Sequence, residues 1–321
     1  MTTLSIISRS YVGEADLPAI VAMLKTCETA DRLDENITID DLRLEFAMPE
    51  VDIAHDVRLW VDTDGALLGF GQIWFHPKAE DPDSFVWYKV HPDARGGDLD
   101  DQIVAWGERR TREAAQERGV RLRYRAMAHA SEPERIAFLE RSSFVVDRYF
   151  QRMARPLDTT VAAPQLPDGF RLVAGPHDPA AWAELFNESF VDHWNHEPWT
   201  ADKVQLWQSE PHYRPDIDLV AVAPDSTLAA FCWGGLDPEI NASSGLQEGH
   251  IGLLGSRRGY RGIGLGRAML FAGLRALAAA GARSASLSVD ADSPTGATRL
   301  YESAGFRTTL KRMLYGKNLD F

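Results

Sequence analysis

Residues 249–267 read GHIGLLGSRRGYRGIGLGR, and these residue types at this spacing suit anion binding. A short apolar run at 251–254 gives way to a turn rich in arginine and glycine. The helix-forming segment AMLFAGLRALAAA follows. Backbone N–H groups at a helix start are unpaired and carry the positive end of the macrodipole, so phosphate oxygens fit there. Glycines let the backbone approach such a ligand without a Cβ in the way. Arg257, Arg258, Arg261 and Arg267 add charge in a form that phosphate uses. His250 stands at the front edge of this stretch. An imidazole titrates near neutrality, so it can take a proton from an attacking group at physiological pH. Glu248 lies two residues earlier and shares a face with His250 on an extended strand. It could orient His250 or relay protons through water. The plainer alternative for His250 is a strand-end residue bonded to water.

Three phosphate-binding templates compete for this loop. A P-loop requires Lys and Ser or Thr after its second glycine, but Leu265 and Gly266 follow Gly264. A dinucleotide fingerprint begins at Gly262 and Gly264 and meets Arg267 where its last glycine belongs, although Asp290 lies at a suitable distance for a ribose. The third template, Arg/Gln-x-x-Gly-x-Gly/Ala, is matched in full by Arg261, Gly264 and Gly266. That loop resembles the acyl-CoA pyrophosphate loop of the GNAT acetyltransferases.

The resemblance implies acetyl-CoA as acyl donor. It implies that the strand segment Leu253, Leu254, Gly255 and Ser256 pairs with the pantetheine arm. It also implies that Arg261, Gly262, Ile263, Gly264, Leu265, Gly266 and Arg267 hold the pyrophosphate. Residues 300–306 (LYESAGF) are similar to the family signature L-Y-x-x-x-G-F, whose tyrosine donates to the coenzyme sulfur. Tyr301 is therefore the candidate acid, with core packing as the alternative. The backbone N–H of Leu254 would face the developing oxyanion. The family usually carries Asn ahead of this short helix; Ser293 stands there, a donor of shorter reach.

Stepping outward, the elements that must position these residues occur twice. In the first half, strands are expected at 4–12, 57–62, 66–75, 84–91 and 121–127, with a strand pair over 144–154. Helices are expected at 15–27, 100–118 and 134–141. Residues 156–169 (PLDTTVAAPQLPDG) contain three prolines and no amphipathic period, which marks a boundary. The second half repeats the order: strands at 170–174, 219–222, 228–233, 250–254 and 284–290, closing strands over 306–315, and helices at 180–190, 267–280 and 296–304. Residues 95–100 (RGGDLD) match 261–266 (RGIGLG), and 138–144 (FLERSSF) match 300–306. The expectation is an α/β (α+β) protein of two tandem GNAT domains, each a mixed, mostly antiparallel sheet flanked by helices. The domains would be 1–156 and 168–321, joined by a linker at 157–167.

The copies differ where chemistry would sit. Asp98 and Asp100 replace Gly264 and Gly266, Leu139 replaces Tyr301, and Ser84 stands opposite His250. Two carboxylates facing a diphosphate would repel it. The first half is read as a non-catalytic relative and the second as the active domain. Within the second, His193, Trp194, His196 and Trp199 form an aromatic group after the first helix, where this fold walls its acceptor site. His193, Trp194 and Trp199 are the candidate acceptor contacts, with core packing as the alternative. Pro198 and the absence of a nearby third ligand argue against a metal.

The chain's 321 residues allow two ordinary domains, and its hydrophobic (45%) and charged (25%) content is that of a soluble globular protein. A net charge of -13 argues against nucleic acid or an anionic membrane as partner. No run of eighteen apolar residues exists and no signal peptide is evident. Two cysteines far apart, Cys27 and Cys232, form neither a disulfide framework nor a metal motif. The expected protein is a cytoplasmic N-acetyltransferase, monomeric or homodimeric, acting on a small-molecule amine. Direct attack in a ternary complex is expected, since no cysteine lies near the motif to carry the acetyl group. An acyl-CoA-binding sensor without turnover and a nucleotide-dependent oxidoreductase are the rivals.

Overall fold

Left-handed glycines and capping side chains punctuate the chain. Gly119 adopts φ 66° and ends a twenty-residue helix, while Thr38 and Asp41 close a reciprocal capping box at the start of another. The computed structural model describes residues 6–31, 33, 37–48, 51–76, 79, 81–157, 161–194, 196–210, 212–236, 241, 245, 247–292 and 296–320. The first half contains β1 (Ile7–Ser10), α1 (Leu17–Asp31), α2 (Ile39–Phe46), α3 (Ile53–Asp56), β2 (Val57–Val61), β3 (Leu67–His76), β4 (Asp83–Val90), α4 (Leu99–Arg118), β5 (Arg123–His129), α5 (Pro133–Arg141) and β6 (Val145–Pro156). The second contains β7 (Arg171–Ala174), α6 (Pro179–Phe190), α7 (Ala201–Gln208), β8 (Asp218–Val222), β9 (Leu228–Leu236), β10 (Glu248–Ser256), α8 (Leu265–Ala279), β11 (Ser284–Asp290), α9 (Ala297–Ser303) and β12 (Arg307–Lys317).

Two compact units result: Met1–Arg148 together with Arg312–Phe321, and Tyr149–Lys311. In the first unit β1 to β4 form an antiparallel meander, β4 pairs β5 in parallel, and Arg312–Lys317 of β12 pairs antiparallel with β5. Its core gathers Trp60, Trp106, Ile103, Tyr124, Phe144 and Tyr315. A second cluster packs Leu17, Ile20 and Leu24 of α1 against Leu59 and Phe70.

The second unit repeats the plan. Strands β7 to β10 are antiparallel, β10 pairs β11 in parallel, and Phe150–Pro156 of β6 pairs antiparallel with β11. Leu265, Met269, Leu270, Leu274 and Leu277 recur at helical spacing along α8 and bury their face against Ile251, Cys232 and Leu287.

Two expectations need revision. Residues 144–154 and 306–315 are each one long strand rather than pairs. The two units are divided within those strands, and Leu157 and Val161, in the segment read as a linker, are buried in the second unit's core. The helices α2 and α7 were not anticipated, because eight residues carry too little periodicity to register.

Candidate active site

His250 belongs to β10 of the second unit, where it pairs with Gly235 on β9 and Ser286 on β11. That is the last residue at which β10 and β11 pair. Beyond it the two parallel strands separate, leaving the edge of residues 251–256 without a partner strand on the β11 side among the described residues. On its other edge β10 shifts register between Ile251 and Leu253. Gly252 sits at this bulge, and a Cβ there would meet the Trp233 ring at 2.3 Å. Glycine is what lets the indole lie against the strand. The His250 imidazole rests over Gly235, where a Cβ would be 3.0 Å from its Cε1, and edge-on to Trp233 at 5.6 Å between centroids.

An aromatic wall continues from that contact. Trp233 meets Trp207 at 5.2 Å, Trp207 meets Tyr213 at 5.1 Å, and Trp199 stands 5.5 Å from Trp182. Trp199 is clamped by its backbone: its N–H donates to Asn187 Oδ1 at 2.8 Å and its carbonyl accepts from Asn187 Nδ2 at 2.9 Å. Trp194 is half-buried and His193 exposed, with the His193 ring 5.4 Å from Phe190. Burial against the neighbouring aromatics lowers the pKa of His196, and His193 adds to that shift. Among the described residues no group of His, Cys, Asp and Glu could hold a metal ion. The indole N–H of Trp233 and the hydroxyl of Ser189 are buried without a hydrogen-bond partner among the described residues, which leaves two donors available beside β10.

The loop after β10 is held by ion pairs. Arg257 donates to the Leu228 carbonyl at 2.7 Å and pairs with Glu184 and Glu188. Arg258 and Arg261 share Asp192, just past the end of α6, and Arg261 also donates to the carbonyls of Ser256 (3.1 Å) and Ser189 (2.8 Å). Two hydrogen-bonded guanidiniums hold the Asp192 carboxyl far below the usual carboxylate range. Arg267 donates to Ser303 Oγ at 2.7 Å. The arginines expected to meet phosphate directly are thus engaged with the protein. The backbone keeps its capacity: Gly262 and Gly264 adopt φ 79° and 86°, and α8 begins at Leu265 with no capping side chain on its first N–H groups. Ser293 lies outside the described residues. Asp290, weighed as a ribose ligand, accepts the N–H of Asp292 at 2.9 Å.

Tyr301, on α9, is buried, and its phenol is raised well above the ordinary value by desolvation, with a smaller contribution from Cys232. Glu248 is engaged with Arg152 of β6 and with Ser286 Oγ at 2.8 Å, and its backbone is pinned at both N–H and C=O by the Asn241 side chain. One sequence reading is corrected. Cys232 pairs with Leu254 across β9 and β10, so a cysteine does lie near the motif in space. Its sulfur, however, packs under Gly273 of α8, and burial pushes the thiol up to about 12. A thiolate nucleophile is not available there at neutral pH. Sequence reasoning overlooked Asp192, Trp207 and Trp233. Trp207 and Trp233 were readable only as generic apolar residues, and Asp192 only as a surface charge.

Residues 180–306 match the model of the Acetyltransferase (GNAT) family. The chain is 31% identical over 291 residues to a mycothiol acetyltransferase of Kineococcus radiotolerans, covering 89% of this chain and 88% of that one. The chain belongs to the GNAT acetyltransferase family. A crystal structure of a GCN5-related N-acetyltransferase from Sphaerobacter thermophilus superposes with a TM-score of 0.80 at 27% identity, covering 99% of both chains. A tandem GNAT protein from the clavulanic acid biosynthesis pathway shares the fold, with a TM-score of 0.70 at 15% identity over 98% of each chain. This GNAT chain is therefore an acyltransferase with two tandem domains, and none of its described helices is long and apolar enough to cross a membrane.

Proposed function

We propose that the chain transfers an acetyl group from acetyl-CoA to the amine of a small molecule, by direct attack, at the second unit. The observation that carries this reading is the strand separation after His250, which opens a free backbone edge leading to an uncapped helix start. The donor fits the residues present. Leu253, Leu254, Gly255 and Ser256 offer backbone groups to a pantetheine arm, and the N–H groups of residues 262–267 face a pyrophosphate. When bound, the coenzyme supplies a thioester activated toward acyl transfer.

In this reading His250 takes the proton of the attacking amine, because an ammonium has no lone pair to attack with. The Leu254 N–H stabilises charge on the carbonyl oxygen. Tyr301 stays protonated at physiological pH and donates a hydrogen bond to the departing sulfur. Glu248, already tied to Arg152 and Ser286, anchors the strand on which His250 sits. Arg261 acts by shaping the loop. Trp233, Trp199, Trp194 and His193 wall the acceptor side. The first unit, lacking counterparts of His250 and Tyr301, is non-catalytic.

The relatives named mycothiol acetyltransferase favour a more specific second reading, in which the acceptor is the amine precursor of mycothiol; the tandem layout with a degenerate first copy also resembles mycothiol synthase. Thiol release from acetyl-CoA, followed across a panel of small amines that includes the mycothiol precursor, tests both readings. We expect release with at least one amine. His250→Ala should lower kcat by roughly 10²–10⁴-fold, and Tyr301→Phe should lower it less, with coenzyme affinity retained. Coenzyme binding with no release from any amine would replace the enzyme with an acyl-CoA sensor.

A further inference from the structure

The first unit has the same pair of separating strands, with different contents. β4 and β5 pair in parallel only between Asp83–Val86 and Arg123–Ala126, then run on without pairing to Val90 and His129. Arg135, at the third position of α5, reaches across the gap. Its Nε donates to the Met127 carbonyl on β5 at 2.7 Å, and its Nη1 donates to the Tyr88 carbonyl on β4 at 3.3 Å. Its guanidinium carbon lies 4.0 Å from the centroid of the Tyr88 ring, a cation–π contact on a fully buried tyrosine. Asp100, in the first turn of α4, is half-buried near both residues, and the Tyr88 hydroxyl is buried without a hydrogen-bond partner among the described residues. Burial raises the pKa of this carboxyl and Arg135 opposes the rise, as for a carboxyl enclosed with its counter-charge.

The match of the two copies identifies what changed. Aligned through Arg95 and Arg261, Tyr88 and Asp100 correspond to Leu254 and Gly266; aligned through 138–144 and 300–306, Arg135 corresponds to Ala297. The second unit therefore has no side chain at these three positions that could bridge its strands. In the first unit the three residues depend on one another. A half-buried guanidinium and a half-buried carboxyl lower the cost of desolvating each other, and two separated strands need a donor for their carbonyls. Asp100 is thus partly withdrawn from solvent, close to a cation of its own unit.

We infer that the first unit has closed its coenzyme slot with its own Arg135, Tyr88 and Asp100, so that the chain binds acyl-CoA at one site, in the second unit. The count rests on the donor reading proposed above; the filled slot does not. Calorimetric titration of the full chain with CoA should give one site per chain, and two sites would overturn the inference. The triple variant Tyr88→Leu, Asp100→Gly, Arg135→Ala, which installs the second unit's residues, should gain a second site. A variant with native circular dichroism that still binds one CoA would also overturn it. Should the triple variant not fold, Arg135→Ala alone decides. Its melting temperature should fall by several degrees, and methylguanidinium chloride should restore it where equal potassium chloride does not. No loss of stability, or no selective rescue, overturns the plug. If the wild-type chain binds no CoA, the donor reading and the one-site count fall together, and the melts still judge the plug.

Discussion

Arg261 and Arg95 show what the motif arginine does in this protein. Each donates Nε to the carbonyl five residues earlier, Ser256 and Val90, at 3.1 Å in both units. Each also pairs with a carboxylate at or just past the end of the first helix of its unit, Asp192 or Asp31. The first unit keeps this brace although its loop carries Asp98 and Asp100, so the brace does not depend on phosphate. Asp192 is then a positioning residue for the loop. Asp192→Asn should raise the KM for acetyl-CoA about 3–30-fold with kcat nearly unchanged, and Asp192→Glu should recover part of the loss; a fall in kcat alone would argue against this role. The pH dependence has a definite sign. The pKa of Asp192 is depressed in the folded chain, so its contribution is present above the unfolded value and is lost only as pH falls through the lower folded one. The KM for acetyl-CoA should therefore stay level down to about pH 4, the ordinary carboxylate range. A rise in KM already at pH 5 would remove Asp192 from the account.

At the scale of elements, two glycines on adjacent strands set the active-site surface. Gly235 leaves room for the His250 imidazole and Gly252 for the Trp233 indole. In Gly235→Ala the new methyl would stand 3.0 Å from Cε1, tighter than van der Waals contact, so the ring must tilt. Steady-state kinetics should show kcat lowered about 10-fold or more, with the KM for acetyl-CoA unchanged. Unchanged kcat would mean that the ring's position is not critical to turnover. The helix α6 supports the same surface from behind. Trp182 is fully buried, stacks on Phe186 with 12° between ring planes, and donates Nε1–H to Asp218 at 3.1 Å. Trp182→Phe keeps much of the packing and removes the bond to a buried carboxyl, so denaturant unfolding of the second unit should register a loss of about 2 kcal/mol.

At the scale of the whole molecule, each unit is completed by a strand from the far side of the chain. The last ten residues belong to the first unit, where Tyr315 and Leu319 join its core. Residues 149–156 belong to the second, where Met153 is fully buried. A fragment of residues 1–156 would follow the proline-rich boundary, yet it lacks the partner of β5 and exposes an open strand edge. It should be insoluble or molten by near-ultraviolet circular dichroism, and adding residues 312–321 through a linker should restore cooperative melting. A cooperatively folded 1–156 fragment would show the terminal strand to be dispensable.

The sequence by itself determined the duplication, the element order around each loop, the Arg261–Gly264–Gly266 turn and the strand position of His250. These are legible because turn glycines, helix period and motif spacing are local properties of the chain. The family follows from the same residues, and so does the contrast between Leu139 and Tyr301. What only the tertiary structure decided is where side chains from distant segments meet. Asp192 looks like any surface carboxylate until α6 brings it to the loop. Glu248 looks like a free base until Arg152 and Ser286 engage it. Cys232 looks remote from the motif until strand pairing sets it beside Leu254, with its sulfur turned into the core. Asp100 is the clearest case. Its charge predicts repulsion of a diphosphate, and the fold half-buries it near Arg135, a cation on a helix more than thirty residues away that offsets part of the cost of desolvating the carboxyl.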